Sequence, residues 1–251
     1  MNKENHSGIY LLPNLLTTVS LFAAFYSIVS SMKGRYEEAV IAMFVGMVAD
    51  SLDGRIARLT NTQTEFGAQY DSLSDMVTFG VAPSLMLFNL TLSQLGKFGW
   101  LVAFIYTAAV ALRLARFNTQ IGIADKSYFQ GLPCPPAAAV VSAFAWLCIE
   151  HGWRGYFIST LTAVLALTLS VLMVSNLRYY SFKEVDFKGK VPFIYVLIMI
   201  ILFVAIAADP ATVLFIGSAV YGLSGPMLTV VSLHKVRKQR RAANKDKEGE
   251  L

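Results

Sequence analysis

Between Asp50 and Asp75, four aspartates, two arginines and two glycines stand inside segments that are otherwise apolar enough to cross a membrane. An aspartate at the bilayer centre costs about 2.5 to 3.5 kcal/mol on insertion scales, so such residues must face the interior of a helical bundle and find partners there. At about 100° per residue, Asp53, Ala57, Asp50, Gly54 and Arg58 share a helical arc of about 140°, and Gly67, Asp71, Ser74, Asp75 and Thr78 share one of about 100° on the next segment. Two polar stripes can therefore face each other. Clustered carboxylates select hard, oxygen-seeking cations such as Mg²⁺ or Mn²⁺. Two such ions about 3.5 to 4 Å apart can bridge a diphosphate and orient an in-line attack on phosphorus, so the pattern points to phosphoryl transfer. Gly54 and Gly67 lack side chains where a base or sugar has to approach the backbone closely, Ala57 leaves room between them, and Arg58 is placed to hold phosphate oxygens. The competing reading is a transporter whose carboxylates belong to a buried ion-pair network.

The rest of the chain agrees with a membrane setting. Of its 251 residues 55% are hydrophobic and only 15% charged, and mean hydropathy is +0.55, far from the balance of soluble domains. The hydropathy pattern predicts an all-α, polytopic transmembrane bundle with about eight spans, near 11–31, 36–60, 67–91, 98–118, 135–150, 156–176, 191–208 and 211–233. With both termini cytoplasmic, seventeen of the 21 Lys and Arg lie on that side, while Lys33, Arg35, Lys97 and Arg154 lie on the other. This positive-inside asymmetry places the aspartates near the cytoplasmic face, and the expected location is a prokaryotic-type cytoplasmic (inner) membrane. The asymmetry also accounts for the net charge of +5 through contact with anionic membrane lipids, without a nucleic-acid partner. Residues 1–10 form a polar start that leads into a span rather than a cleavable signal, and 234–251 form a basic cytoplasmic tail.

Several shorter features carry further candidates. Pro13 and Asn14 open the first span, followed by Thr17 and Thr18, a helix start whose polar groups can reach a ligand. Gly80 and Pro83 predict a kink in the third span. Arg113 and Arg116 are three apart at the end of the fourth span, hence on one face. A loop from Thr119 to Pro136 follows, with three prolines after Gln130. The connection after the sixth span, with Arg178, Tyr179 and Lys183, is basic and aromatic, as suits headgroup level. The last two spans read as structural. Cys134 and Cys148 have no metal-ligand spacing, and His6, His151 and His234 all lie at segment ends.

Written out, residues 50–75 read D-x2-D-G-x2-A-R-x8-G-x3-D-x3-D. Eight specified positions in twenty-six residues resemble the CDP-alcohol phosphatidyltransferases, and the PNxxT start at Pro13 resembles the same family. ALRLARFN at 111–118, FQGLPCPPAAA at 129–139 and LMVSNLRYYSFK at 172–183 resemble the membrane-embedded phosphatidylserine synthases within it. Cys134 departs from the small or aliphatic residue usual in GLPxPP.

The resemblance implies a six-helix catalytic core, 11–183, with accessory helices in 184–233, and a homodimer. It implies that Asp50, Asp53, Asp71 and Asp75 hold two divalent cations, Mg²⁺ or Mn²⁺, and that Asn14, Thr17, Gly54, Ala57, Arg58 and Gly67 line the CDP and phosphate site together with Asp50, Asp53 and Asp71. Asp75 then takes the proton of the attacking hydroxyl, the donor is CDP-diacylglycerol and the acceptor is L-serine. A zwitterionic acceptor needs a cation for its carboxylate; Arg113, Arg116, Arg178 and Lys183 are candidates, with Asn118 and Tyr179 as weaker polar ones. Glycerol phosphate, an inositol compound or choline are the alternative acceptors. No H-x-K-x4-D motif is present, so a phosphohistidine route has no candidate residue.

Overall fold

The computed structural model describes residues 11–60, 62–119, 128–180 and 193–249. Its helices are α1 (Leu11–Met32), α2 (Tyr36–Leu59), α3 (Glu65–Asp75), α4 (Ala82–Leu90), α5 (Lys97–Thr119), α6 (Cys134–Glu150), α7 (Tyr156–Val174), α8 (Phe193–Ala208) and α9 (Pro210–Gly249). A π-helical turn, Met76–Val81, joins α3 to α4, making one continuous apolar helix, Glu65–Leu90. The resulting eight rods match the eight expected spans, including the short one at α6, except that α9 continues as helix to Gly249 through residues expected as a tail, since no Pro or Gly occurs in 234–248 to stop it. Five are long and apolar enough to cross a membrane unaided by neighbours: α1, the α3–α4 rod, α5, α7 and the first half of α9. α2 falls short because it carries Glu37 and Glu38 in its first turn and the aspartate–arginine run at its other end. α8 has no buried residue; its all-round apolar surface suits lipid contact.

Two short strands depart from the purely helical expectation. β1 (Tyr128–Gln130) and β2 (Arg178–Tyr180) pair antiparallel, with Phe129 opposite Tyr179. They fall where the sequence predicts only connections. Three-residue strands carry too little periodicity to be read in advance.

α1 is the element that holds the aspartate-bearing helices, since it packs along α2 and also against α3, the π turn and α4. Small residues permit this: Ser20 Oγ donates to the Gly46 carbonyl at 3.0 Å, and a Cβ on Gly46 would sit 3.4 Å from the Ser20 carbonyl oxygen. Thr78, expected on the polar stripe with Asp71 and Asp75, instead faces this α1 contact, its hydroxyl 3.3 Å from Ser20 Oγ.

The expected kink takes the form of the π turn. Pro83 has no N–H, and its ring would crowd the carbonyl four residues earlier in a regular helix; the wider turn relieves this, with the Ala82 N–H donating to Val77 O, five residues back. Gly80 lets α5 cross here, since a Cβ would approach Val110 at 3.3 Å. A core of Met43, Phe79, Met86, Tyr106, Val110 and Val141 fills the middle of the bundle.

Candidate active site

Asp50 and Asp53 lie one turn apart on α2, Asp71 and Asp75 one turn apart on α3, and the helices bring them together. One carboxylate oxygen from each of Asp50, Asp53 and Asp71 lies within 4.8 Å of the others. Asp75 stands outside this triad with its carboxyl against that of Asp50, in electrostatic reach of Asp71 and Asp53. Asp53 is the most enclosed, 4% exposed. Thr17 Oγ1 donates to Asp53 Oδ2 at 2.8 Å, a shorter contact than its 3.1 Å approach to Pro13 O, so the hydroxyl's single proton serves the carboxylate. Ser74 Oγ in turn donates to Thr17 O, at 3.3 Å, and Thr18 Oγ1 meets Tyr70 Oη at 2.9 Å. The start of α1 thereby ties α2 to α3.

The charge balance decides between the two readings of these carboxylates. Among the described residues no Lys or Arg pairs with any of the four; the ion pair present joins Arg35 and Glu38 at 3.0 Å. Oxygens of Asp71 and Asp75 are buried without a hydrogen-bond partner. At an effective dielectric near 20, two charges at such separations repel by roughly 3 kcal/mol. A buried ion-pair network would show the opposite arrangement. Carboxylate oxygens converging from two helices with no cationic side chain paired to them, two on α3 without a hydrogen-bond partner, fit a divalent cation in both number and chemistry.

The flanking motif residues are placed in two groups. Gly67 sits at the start of α3, where its N–H donates to the N-cap Thr64 Oγ1 at 2.9 Å; a Cβ would meet Thr64 Oγ1 at 3.0 Å and Asn14 Oδ1 at 3.2 Å. Gly54 faces open space, the nearest atom to a Cβ being Arg58 Nη1 at 3.8 Å. Ala57 is half-buried and Arg58 exposed. Asn14 with Gly67, and Gly54 with Arg58, thus flank the carboxylates on either side of the α2–α3 link.

The acceptor candidates separate. Arg113 is buried at 9% exposure, its Nη1 donating to Cys134 Sγ at 3.7 Å and its guanidinium 5.7 Å from the Phe117 ring centre. Cys134, which Arg113 bonds, itself lies within electrostatic range of both Asp75 and Asp50. Arg116 Nη1 turns instead to Ser175 O and Asn176 Oδ1, each at 3.4 Å. Asn118 Nδ2 donates to Ser72 Oγ at 2.9 Å, next to Asp71. Arg178 is exposed on β2, opposite Gln130, and Tyr179 is wholly buried against α9, its hydroxyl donating to Gly222 O at 3.0 Å. Lys183 lies outside the described residues.

Two residues near the site carry no role in the sequence reading. Cys134 stands out there only as a departure from GLPxPP. Tyr106, on apolar α5, gives no signal at all, yet its hydroxyl is buried without a hydrogen-bond partner, close to Cys134.

A family model for CDP-alcohol phosphatidyltransferase matches residues 10–173. The chain belongs to the CDP-alcohol phosphatidyltransferase family. The match takes in the whole carboxylate site and ends one residue before α7 does. Among curated proteins, the CDP-diacylglycerol–serine O-phosphatidyltransferase of Helicobacter pylori is 39% identical over 196 residues, covering 76% of this chain and 81% of the relative. A protein of the same name from Methanocaldococcus jannaschii is 34% identical over 164 residues, 65% of this chain and 74% of the relative. The archaetidylserine synthase of Methanothermobacter thermautotrophicus is 33% identical over 181 residues, 71% and 73% of the two chains. This CDP-alcohol phosphatidyltransferase is thus an integral membrane phosphotransferase that acts on a CDP-linked alcohol in a lipid setting, a class that uses divalent metal and here has three carboxylates in place for it.

Proposed function

We propose that this CDP-alcohol phosphatidyltransferase moves the phosphatidyl group of CDP-diacylglycerol to the hydroxyl of L-serine, releasing CMP and forming phosphatidylserine in a single displacement. The carboxylate triad within 4.8 Å, without a cationic partner among the described residues, carries the reading. The names of three relatives and the buried Arg113, bonded to a cysteine that is in electrostatic range of Asp75 and Asp50, support serine as acceptor.

In this reading Asp50, Asp53, Asp71 and Asp75 would hold two divalent cations, Mg²⁺ or Mn²⁺. When bound, these would polarise the diphosphate and offset the charge developing on the leaving CMP. The chain's own residues do the rest. Asn14, Gly67, Gly54, Ala57 and Arg58 bind the CDP moiety, the glycines by leaving the backbone open to it. Thr17 fixes the orientation of Asp53. Arg113 takes the serine carboxylate through a bidentate contact, which directs the hydroxyl toward phosphorus. Asp75 accepts the hydroxyl proton as the serine oxygen bonds to the phosphorus bearing diacylglycerol and the phosphorus–oxygen bond to CMP breaks. The catalytic core occupies 11–183 of a homodimer in the cytoplasmic membrane, with the site facing the cytoplasm; the excess of Lys and Arg on that side supports this orientation.

The acceptor is tested with purified protein, CDP-diacylglycerol, Mn²⁺ and labelled alcohols. The expected product is phosphatidylserine with one CMP released per turnover. Activity with glycerol phosphate and none with serine would overturn the acceptor assignment while leaving the family chemistry intact. A second expected result concerns Thr17→Val, which removes the hydroxyl bonded to Asp53. Loss of such a support lowers metal affinity or activity about 10- to 100-fold. The Mn²⁺ dependence of the rate should shift to higher concentration with the saturated rate largely recovered; an unchanged dependence would show that Thr17 serves packing alone.

A further inference from the structure

The family model ends at residue 173, yet the segment beyond it is tied back to the site. β2 begins at Arg178, and its central residue, Tyr179, is wholly buried. The hydroxyl donates to Gly222 O of α9 at 3.0 Å, and the ring sits where a side chain on Gly225 would be: a Cβ there would collide with its carbons. Tyr221 packs beside it, ring centres 5.9 Å apart. α9 itself is seated along α6, with Phe215 5.8 Å from Phe144, so it forms the fixed side of this contact.

From Tyr179 the connection runs to the acceptor candidates along backbone. β2 pairs with β1. Just after β1, the Gly131 N–H donates to Leu177 O at 2.8 Å and the Leu132 N–H to Leu172 O at 3.0 Å. Gly131 has φ 75° and no room for a Cβ against Met173 O, so this crossing has one backbone path. Two residues on, Cys134 accepts from Arg113. On the other strand's approach, Ser175 and Asn176 accept from Arg116.

We infer that α9 is a positioning element for the acceptor: the Tyr179 ring, latched onto Gly222 and Gly225, fixes the β1–β2 ribbon, and the ribbon fixes Arg113 through Cys134 and Arg116 through Ser175 and Asn176. This rests on the proposal that the acceptor's carboxylate is held at Arg113. The donor site lies elsewhere, on α1, α2 and α3, and among the described residues no hydrogen bond joins it to the ribbon. A disturbed latch therefore changes acceptor binding and spares donor binding.

The test uses full-length Gly225→Ala and Tyr179→Phe, reconstituted with CDP-diacylglycerol and Mn²⁺, with serine varied. Gly225→Ala displaces the ring, and the KM for serine should rise about tenfold, while kcat and the KM for CDP-diacylglycerol stay within about twofold. Tyr179→Phe removes only the bond to Gly222; a neutral hydrogen bond corresponds to roughly a two- to tenfold change, and the KM for serine should rise by about that factor. The double variant should do no worse than Gly225→Ala alone, because both changes act on one contact. A Gly225→Ala protein that does not fold leaves Tyr179→Phe to decide. An unchanged serine KM in the folded variants, or equal losses in serine KM, donor KM and kcat, would overturn the latch. Failure of the wild-type protein to use serine at all would instead overturn the acceptor reading, and the same KM comparison would then be made with the alcohol it does use.

Discussion

Asp75→Asn is expected to fold and insert as the wild type does and to release CMP about a thousandfold more slowly, in the middle of the range for loss of a general base. The substitution keeps the shape of the side chain and removes a charge from a site where one oxygen of Asp75 has no hydrogen-bond partner and where Asp50 stands against it. Relieving like-charge repulsion does not destabilise, so in the absence of metal the melting temperature should match or exceed that of the wild type and the elution volume should match it, while turnover collapses even at saturating Mn²⁺. The KM for serine should change little, since Arg113 and the ribbon are untouched. Wild-type turnover in a folded Asp75→Asn protein would remove this residue from the role of base.

Removal of divalent metal is the second large effect. Chelation should abolish turnover, and Mn²⁺ or Mg²⁺ should restore it. The same ions should stabilise the folded chain, because a ligand at 100 times its Kd contributes about 2.7 kcal/mol. At roughly 2 to 4 °C per kcal/mol for a chain of this size, melting should rise by about 5 to 10 °C. The converse is more diagnostic. Without metal, the Asp50, Asp53 and Asp71 oxygens repel one another across less than 4.8 Å with no cation to offset them, so metal-free Asp71→Asn should melt no lower than metal-free wild type, and added Mn²⁺ should shift it far less. Wild-type protein whose melting and turnover ignore chelation would contradict this account of the cluster.

How much of this the sequence carries follows from the physics of each feature. The spans are readable because backbone polar groups in lipid demand helices of a fixed minimum length; seven of the eight rods fall within a few residues of expectation at both ends, while α9 starts as expected but runs on to Gly249 through the residues expected as a tail. The aspartate stretch is readable because charged groups in apolar segments are costly and the spacing puts them on single faces; the structure brings Asp50, Asp53 and Asp71 together and sets Asp75 beside Asp50. Helical spacing fails just after Asp75, where the π turn changes the register and sends Thr78 to Ser20. It also cannot sort the basic candidates, because Arg113 and Arg116 share a face in sequence but turn to different partners, Cys134 in one case and the end of α7 in the other.

The C-terminal part was the least legible. Tyr179 sits in a segment whose aromatic and basic composition reads as headgroup contact, yet it is buried under α9. Its partners, Gly222 and Gly225, lie over forty residues away in a helix whose sequence signals only an apolar span. A contact between a short strand and a distant glycine pair leaves no periodic trace in either segment, so only the assembled fold reveals it.

The most direct measurement is electron paramagnetic resonance of Mn²⁺ titrated into the metal-free protein with CDP-diacylglycerol present. Two tightly held ions per chain with the signal of a spin-coupled pair are expected, lost when Asp50, Asp53 and Asp71 are replaced together by Asn. A spectrum of free aqueous Mn²⁺ at every ratio, unchanged by those substitutions, would contradict the two-ion site.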